Sequence, residues 1–140
     1  MNQSMKKQLG IWMDFRTAEI IPRPNVPVEP VLITSEIEEV QAGGGSRSSV
    51  PYGPMDKKSD KKILERRKNQ VNHYFDKILE EIEDADEIFL FGPGEAKSLF
   101  LQYIRELKDF KPYILSIITE GKMTDNQKNA YVRSFYESLE

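Results

Sequence analysis

A chain of 140 residues, 39% hydrophobic and 31% charged, has the size and balance of one ordinary domain with enough apolar mass for a real core. Its formal net charge of -3 excludes a globally basic nucleic-acid binder, although local patches stay open. The absence of Cys excludes a disulfide framework, thiolate metal ligation and a Cys nucleophile. After the two lysines before Gln8, the chain reaches Asp14 and Arg16 before any apolar stretch long enough for a signal peptide forms. No run approaches a membrane span. The expectation is therefore a single soluble, cytoplasmic domain over 1–140, with no membrane partner.

In chain order, Leu9 to Met13 and Thr17 to Ile21 read as two strands joined tightly at Asp14-Phe15-Arg16. Pro22, Pro24, Pro27 and Pro30 then forbid regular structure and give an extended connection. A third strand is expected from Val31 to Val40. Its second half alternates between Ile33, Ser35, Ile37 on one side and Thr34, Glu36, Glu38 on the other, as a strand with one wet face does. From Gln41 to Pro54 the composition turns to Gly, Ser, Arg and Pro, which predicts a mobile loop.

A long helix follows, from about Lys57 to about Glu83, with Leu64, Val71, Phe75, Ile78, Leu79 and Ile82 at helical spacing. The continuous apolar run Glu87 to Phe91 predicts a strand covered on both faces. Gly92-Pro93-Gly94 ends it and launches a helix with Ala96, Leu99, Phe100, Tyr103, Ile104 and Leu107 on one side. Tyr113 to Ile118 reads as a fifth strand. Thr124 with Gln127 three residues on is a capping box, opening a last helix to about Leu139. The order β-β-β-α-β-α-β-α predicts an α/β fold: a mixed five-stranded sheet flanked by helices, like the ribonuclease H fold.

Charge placement on the long helix is the strongest local anomaly. Its first turns carry Lys57, Lys58, Lys61, Lys62, Arg66, Arg67 and Lys68, and its last turns Glu80, Glu81, Glu83 and Asp84. The helix dipole favours the reverse, by about 0.3–1 kcal/mol per exposed charge. Two readings stay open: a solvated face whose cost salt screens, or a basic head set beside the Gly/Ser loop to meet phosphates. Gly43, Gly44 and Gly45 serve a flexible linker equally well as a close backbone approach to a charged group, where Ser46 follows and Arg47 adds a phosphate contact. Gly92, Gly94 and Lys97 form a candidate anion site at a helix start, against the alternative of tight strand-to-helix packing. The segment has neither Walker A nor G-x-G-x-x-G spacing. Asp14 reads as a turn former, since two-metal nuclease chemistry needs several carboxylates and no such set is legible. With one His and no Cys, neither a zinc site nor a Ser-His-Asp triad has support. No cofactor is expected.

A third strand leading into a Gly-Gly loop, then a basic-headed helix, then a strand ending in Gly92-Pro93-Gly94-Glu95-Ala96-Lys97, resembles the central domain of eukaryotic and archaeal class 1 peptide-chain release factors. It is similar also to the central domain of Pelota and to related stand-alone bacterial proteins. The resemblance runs from about Gly10 to the end; Tyr52-Gly53-Pro54 and Leu64-Glu65-Arg66-Arg67-Lys68 share in it. In release factors the loop carries Gly-Gly-Gln, which promotes peptidyl-tRNA hydrolysis in the ribosome. The family glycines fall on Gly43-Gly44 or Gly44-Gly45, which puts Gly45 or Ser46 where the glutamine stands. That departure argues against a hydrolase. Pelota-type domains lack the glutamine and do not hydrolyse the ester themselves. The resemblance thus implies a translation-associated protein, non-catalytic, that meets the ribosome or structured RNA through Gly43 to Arg47 and the basic helix head. A peptidyl-tRNA hydrolase and a protein-interaction module that keeps only the fold remain the alternatives.

Overall fold

The computed structural model describes residues 6–24, 29–38 and 55–140, with side chains from 60 onward in the last stretch. The Gly/Ser loop expected over 41–54, and with it Gly43, Gly44, Gly45, Ser46 and Arg47, lies outside the described residues, as do the side chains of Lys57 and Lys58.

β1 (Gln8–Met13), β2 (Thr17–Pro22) and β3 (Val31–Thr34) form an antiparallel meander. The first turn is fixed by Asp14, whose Oδ1 accepts from the backbone N–H of Arg16 at 2.8 Å and of Thr17 at 2.9 Å. This is the self-closing turn that makes Asp a turn residue. Two crossover units follow: α1 (Met55–Ile82) into β4 (Glu87–Gly92), then α2 (Ala96–Arg105) into β5 (Tyr113–Thr119). β4 runs parallel to both β1 and β5, and the sheet order is β3-β2-β1-β4-β5. α3 (Asp125–Ser138) closes the chain behind the Thr124 capping box, in which Thr124 Oγ1 accepts from Gln127 N and Gln127 Oε1 accepts from Thr124 N. The fold is α/β: a mixed five-stranded sheet flanked by three helices.

Strand alternation sorts the core into two layers. Leu9, Ile11, Met13, Ile88 and Leu90 face α1 and α2, against Phe75, Ile78, Ile82, Phe100 and Ile104. Trp12, Phe89 and Phe91 face α3, against Val132 and Tyr136. The second layer is aromatic: Phe89 stacks on Phe135 at 3.8 Å between centroids, and Phe91 on Tyr131 at 4.7 Å. Fully burying each such side chain contributes about 1.5–3 kcal/mol, with a further ~1 kcal/mol for the ring pairing. Tyr136 Oη donates to the carbonyl of Leu9 at 2.6 Å and approaches that of Glu87 at 3.2 Å, which welds α3 to β1 and β4. Burial raises its phenol pKa well above the ordinary value, so it stays a donor.

Two expectations need correction. β3 ends at Thr34 instead of reaching Val40, because its partner β2 begins at Thr17, directly opposite Thr34. Ser35 keeps the register, donating from its N–H to Arg16 O and from Oγ to Phe15 O, but these acceptors belong to the turn before β2, so no ladder continues. An alternating pattern without a partner strand makes no ladder. Leu64, placed by its spacing on the buried face of the long helix, is 63% exposed, for a reason that defines the candidate site.

Candidate nucleic-acid interface

α1 has 28 residues, which at 1.5 Å per residue is about 42 Å. Only its second half lies on the sheet. Every described side chain from Asp60 through Arg66 is exposed, and the first buried one is Tyr74. The amphipathic spacing therefore continues beyond the core it would cover, and Leu64 stands in solvent with Ile63. The N-terminal turns form an arm off the body, and the arm carries the basic cluster.

The cations on the arm divide by what they touch. Lys61, Lys62 and Lys68 are exposed, with no hydrogen bond or ion pair to them among the described residues. Arg66 approaches Glu38 at 3.5 Å, an exposed contact worth little. Arg67 is half-buried: it donates to Glu38 O at 3.2 Å and lies 5.5 Å over the Phe15 ring. With Gln70, whose Oε1 accepts from Glu38 N at 2.9 Å, it ties the chain after β3 to the root of the arm. Arg67 thus works as a structural clasp, while the three lysines make no such contact among the described residues.

The opposite end of α1 is anchored by acid. Asp84 receives both hydrogen bonds of Lys7 Nζ, at 2.8 and 2.9 Å, and that contact holds its carboxyl below the usual range. Asp86 accepts from Lys7 N at 2.7 Å. The helix is consequently polarised along its length, positive at the free end and negative at the anchored end. Such a field orients an approaching polyanion toward the arm.

At the root of the arm, α1 and α2 diverge around an open groove of about 460 Å³. Leu64, Val71, Phe75 and Leu99 supply apolar walls, and Arg67 and Lys68 stand on the rim beside Glu106. Sequence reasoning missed this groove. The available signal was that Leu64 continues the α1 stripe two turns before Val71 and that Leu99 lies at the edge of the α2 stripe beside Phe100. On the groove wall Tyr103 donates to Asp76 at 2.6 Å, and this bond, aided by burial, pushes its pKa up to about 12.

The other sequence candidates cluster at the end of β4. Gly92 has φ +137, and a Cβ there would lie 2.4 Å from Met13 O; Gly94 has φ +68. The structure does bring Gly92, Gly94 and Lys97 together, but Lys97 is only 3% exposed and turns back to donate to Gly94 O at 2.7 Å. The lysine closes the loop on itself, and Gly94 and Glu95 are the residues displayed to solvent. Asp14 spends one carboxylate oxygen on its turn, and its carbonyl accepts from Tyr74 Oη at 2.8 Å. Among the described residues no group of three or more His, Asp or Glu side chains gathers to hold a metal ion. Among them, too, no helix is long and apolar enough to cross a membrane. No family model and no curated protein matches the chain.

Proposed function

We propose that the chain is a release-factor- or Pelota-like domain that binds structured RNA, in the setting of the ribosome, through the basic arm of α1, and that it does so without catalysis. The observation that carries this reading is the arm itself. A helix whose first turns leave the core while carrying Lys61, Lys62, Arg66 and Lys68 exposed is poorly explained by folding, since its charges oppose the helix dipole. A phosphate backbone reverses that balance: each lysine that neutralises a phosphate releases a condensed counterion. The antiparallel meander followed by two parallel crossovers supports the ribonuclease H-like part of the reading. The glutamine missing beside Gly43-Gly44-Gly45 supports its non-catalytic part.

Ribosome co-sedimentation with two variants separates this from the protein-interaction alternative. Lys61→Glu/Lys62→Glu/Lys68→Glu strongly weakens binding and the uncharged Leu64→Gln leaves it, if RNA is the ligand. Salt-insensitive binding lost in Leu64→Gln but kept in the triple variant assigns the groove to a protein partner and overturns the proposal.

A further inference from the structure

The groove between α1 and α2 has an aromatic inner wall that is held in place. Phe75 is buried, and Tyr103 lies beside it, with ring centroids 5.3 Å apart and planes tilted by 54°. Tyr103 Oη donates to Asp76 at 2.6 Å, so the ring is fixed by a residue that does not line the groove. Val71 completes an apolar slot. Two amides, Asn72 from α1 and Gln102 from α2, stand in the same lining. Asn72 is half-buried, and among the described residues neither side chain makes a hydrogen bond. A half-buried amide in an apolar wall is costly unless a ligand or water meets it. Arg67 and Lys68 bring positive charge to the groove, and Glu106 brings a carboxylate.

We propose that this groove receives one unpaired base of the RNA, an inference that rests on the reading of the arm as an RNA-binding element. Each part of a nucleotide finds its counterpart in the lining. The Tyr103 ring and Val71 take a face of the base, as aromatic side chains do with bases splayed out of a helix. Asn72 and Gln102 each present a donor and an acceptor, the pair that matches the N6/N7 edge of adenine. The adjoining phosphate lies toward Lys68, while Glu106 repels phosphate and so favours the neutral base inside the slot. The volume of about 460 Å³ falls in the range of small-ligand sites. An apolar side chain of a protein would fill the slot but leave both amides unmet, which favours the base. Leu64, 63% exposed, stands outside the slot and is not needed for it. The arm thereby supplies affinity that is indifferent to sequence, and the groove adds a preference for a bulge or loop over a continuous duplex.

Two RNA hairpins of matched phosphate number, one fully paired and one with a single bulged adenosine, are titrated against the full chain. The wild type binds the bulged hairpin roughly tenfold more tightly. Asn72→Ala/Gln102→Ala erases that preference, leaving affinity for the paired hairpin and the circular dichroism spectrum unchanged. Tyr103→Leu does the same; if it fails to fold, the amide variant decides alone. Lys61→Glu/Lys62→Glu weakens both hairpins and keeps the preference. Equal, salt-sensitive binding of the two hairpins by the wild type overturns the inference and leaves the reading of the arm standing. Failure to bind either hairpin at low salt overturns both. Ribosome binding that the amide variant loses, with both hairpin affinities unchanged, assigns the groove to a protein and overturns the inference.

Discussion

Replacing Gly92 by Ala probes the joint between β4, β1 and the Gly-Pro-Gly loop. At φ +137 an L side chain is strained by about 1–3 kcal/mol before it touches anything. The Cβ then meets Met13 O at 2.4 Å and Met13 N at 3.1 Å. Those atoms belong to the central strand β1, which is paired on both sides and has no room to retreat. Forcing an atom into a packed site costs another ~1–3 kcal/mol, so the total is about 2–6 kcal/mol. Against a domain stability of about 5–15 kcal/mol this is a large fraction. Gly94 provides the internal control. It too has positive φ, +68, but a Cβ there meets nothing within 4 Å, so Gly94→Ala carries only the conformational cost of about 1–2 kcal/mol. In urea unfolding, with a slope of about 1–3 kcal/mol per molar, Gly92→Ala lowers the midpoint by roughly 2 M and Gly94→Ala by less than half of that. Equal effects at the two glycines would refute the argument, because they would mean that the contact with Met13 costs nothing.

Three further outcomes follow from single contacts. Tyr136→Phe removes the donor shared by the carbonyls of Leu9 and Glu87 inside the aromatic layer, and lowers unfolding free energy by about 1–3 kcal/mol; a neutral result would contradict the bond. Lys128 Nζ donates to Glu19 at 2.6 Å and lies 4.2 Å over the ring of Trp12, the single tryptophan, so Lys128→Met costs about 2 kcal/mol and shifts the intrinsic fluorescence. Measured in a double-mutant cycle with Glu19→Gln, the two sites couple; additive effects would argue against the pair. Tyr103, held protonated first by Asp76 and second by burial, ionises at about 12. A raised folded-state pKa gives stability that is full below the ordinary phenol range and is lost as pH rises toward about 12. Tyr103→Phe should flatten that alkaline loss, seen by thermal unfolding against pH.

The sheet was legible because each strand advertised its surroundings. The uninterrupted run Glu87 to Phe91 is buried on both faces, as a strand between β1 and β5 must be. The Thr124-to-Gln127 box marked the start of α3 to the residue, since both of its hydrogen bonds are local. What failed was extent. The alternation of Ser35, Ile37 and Glu38 looked like strand, but a strand exists only where a partner supplies a ladder, and β2 starts too late to supply one. In the same way Leu64 continues the stripe of Val71 and Phe75, yet the period reports which way a side chain faces and not how far the sheet extends beneath it. The basic cluster was legible as composition. Its division into exposed lysines and a clasping Arg67 was not, because that depends on Phe15 and Glu38, distant in sequence. The inward turn of Lys97 was equally hidden: nothing in Gly-Pro-Gly-Glu-Ala-Lys distinguishes a lysine that reaches out from one that closes its own loop.

The most direct measurement is the affinity for ribosomes across a salt series, wild type against Lys61→Glu/Lys62→Glu/Lys68→Glu. Among the described residues these three side chains make no hydrogen bond or ion pair, and an unchanged circular dichroism spectrum of the variant separates lost binding from lost fold. The account predicts a linear fall of log affinity with log salt for the wild type. In the variant it predicts much weaker binding with a slope reduced by about 2–3, near one counterion for each lost lysine. Affinity and slope unchanged by the charge reversal, or no binding by the wild type even at low salt, would contradict the claim that the arm of α1 is an RNA-binding element.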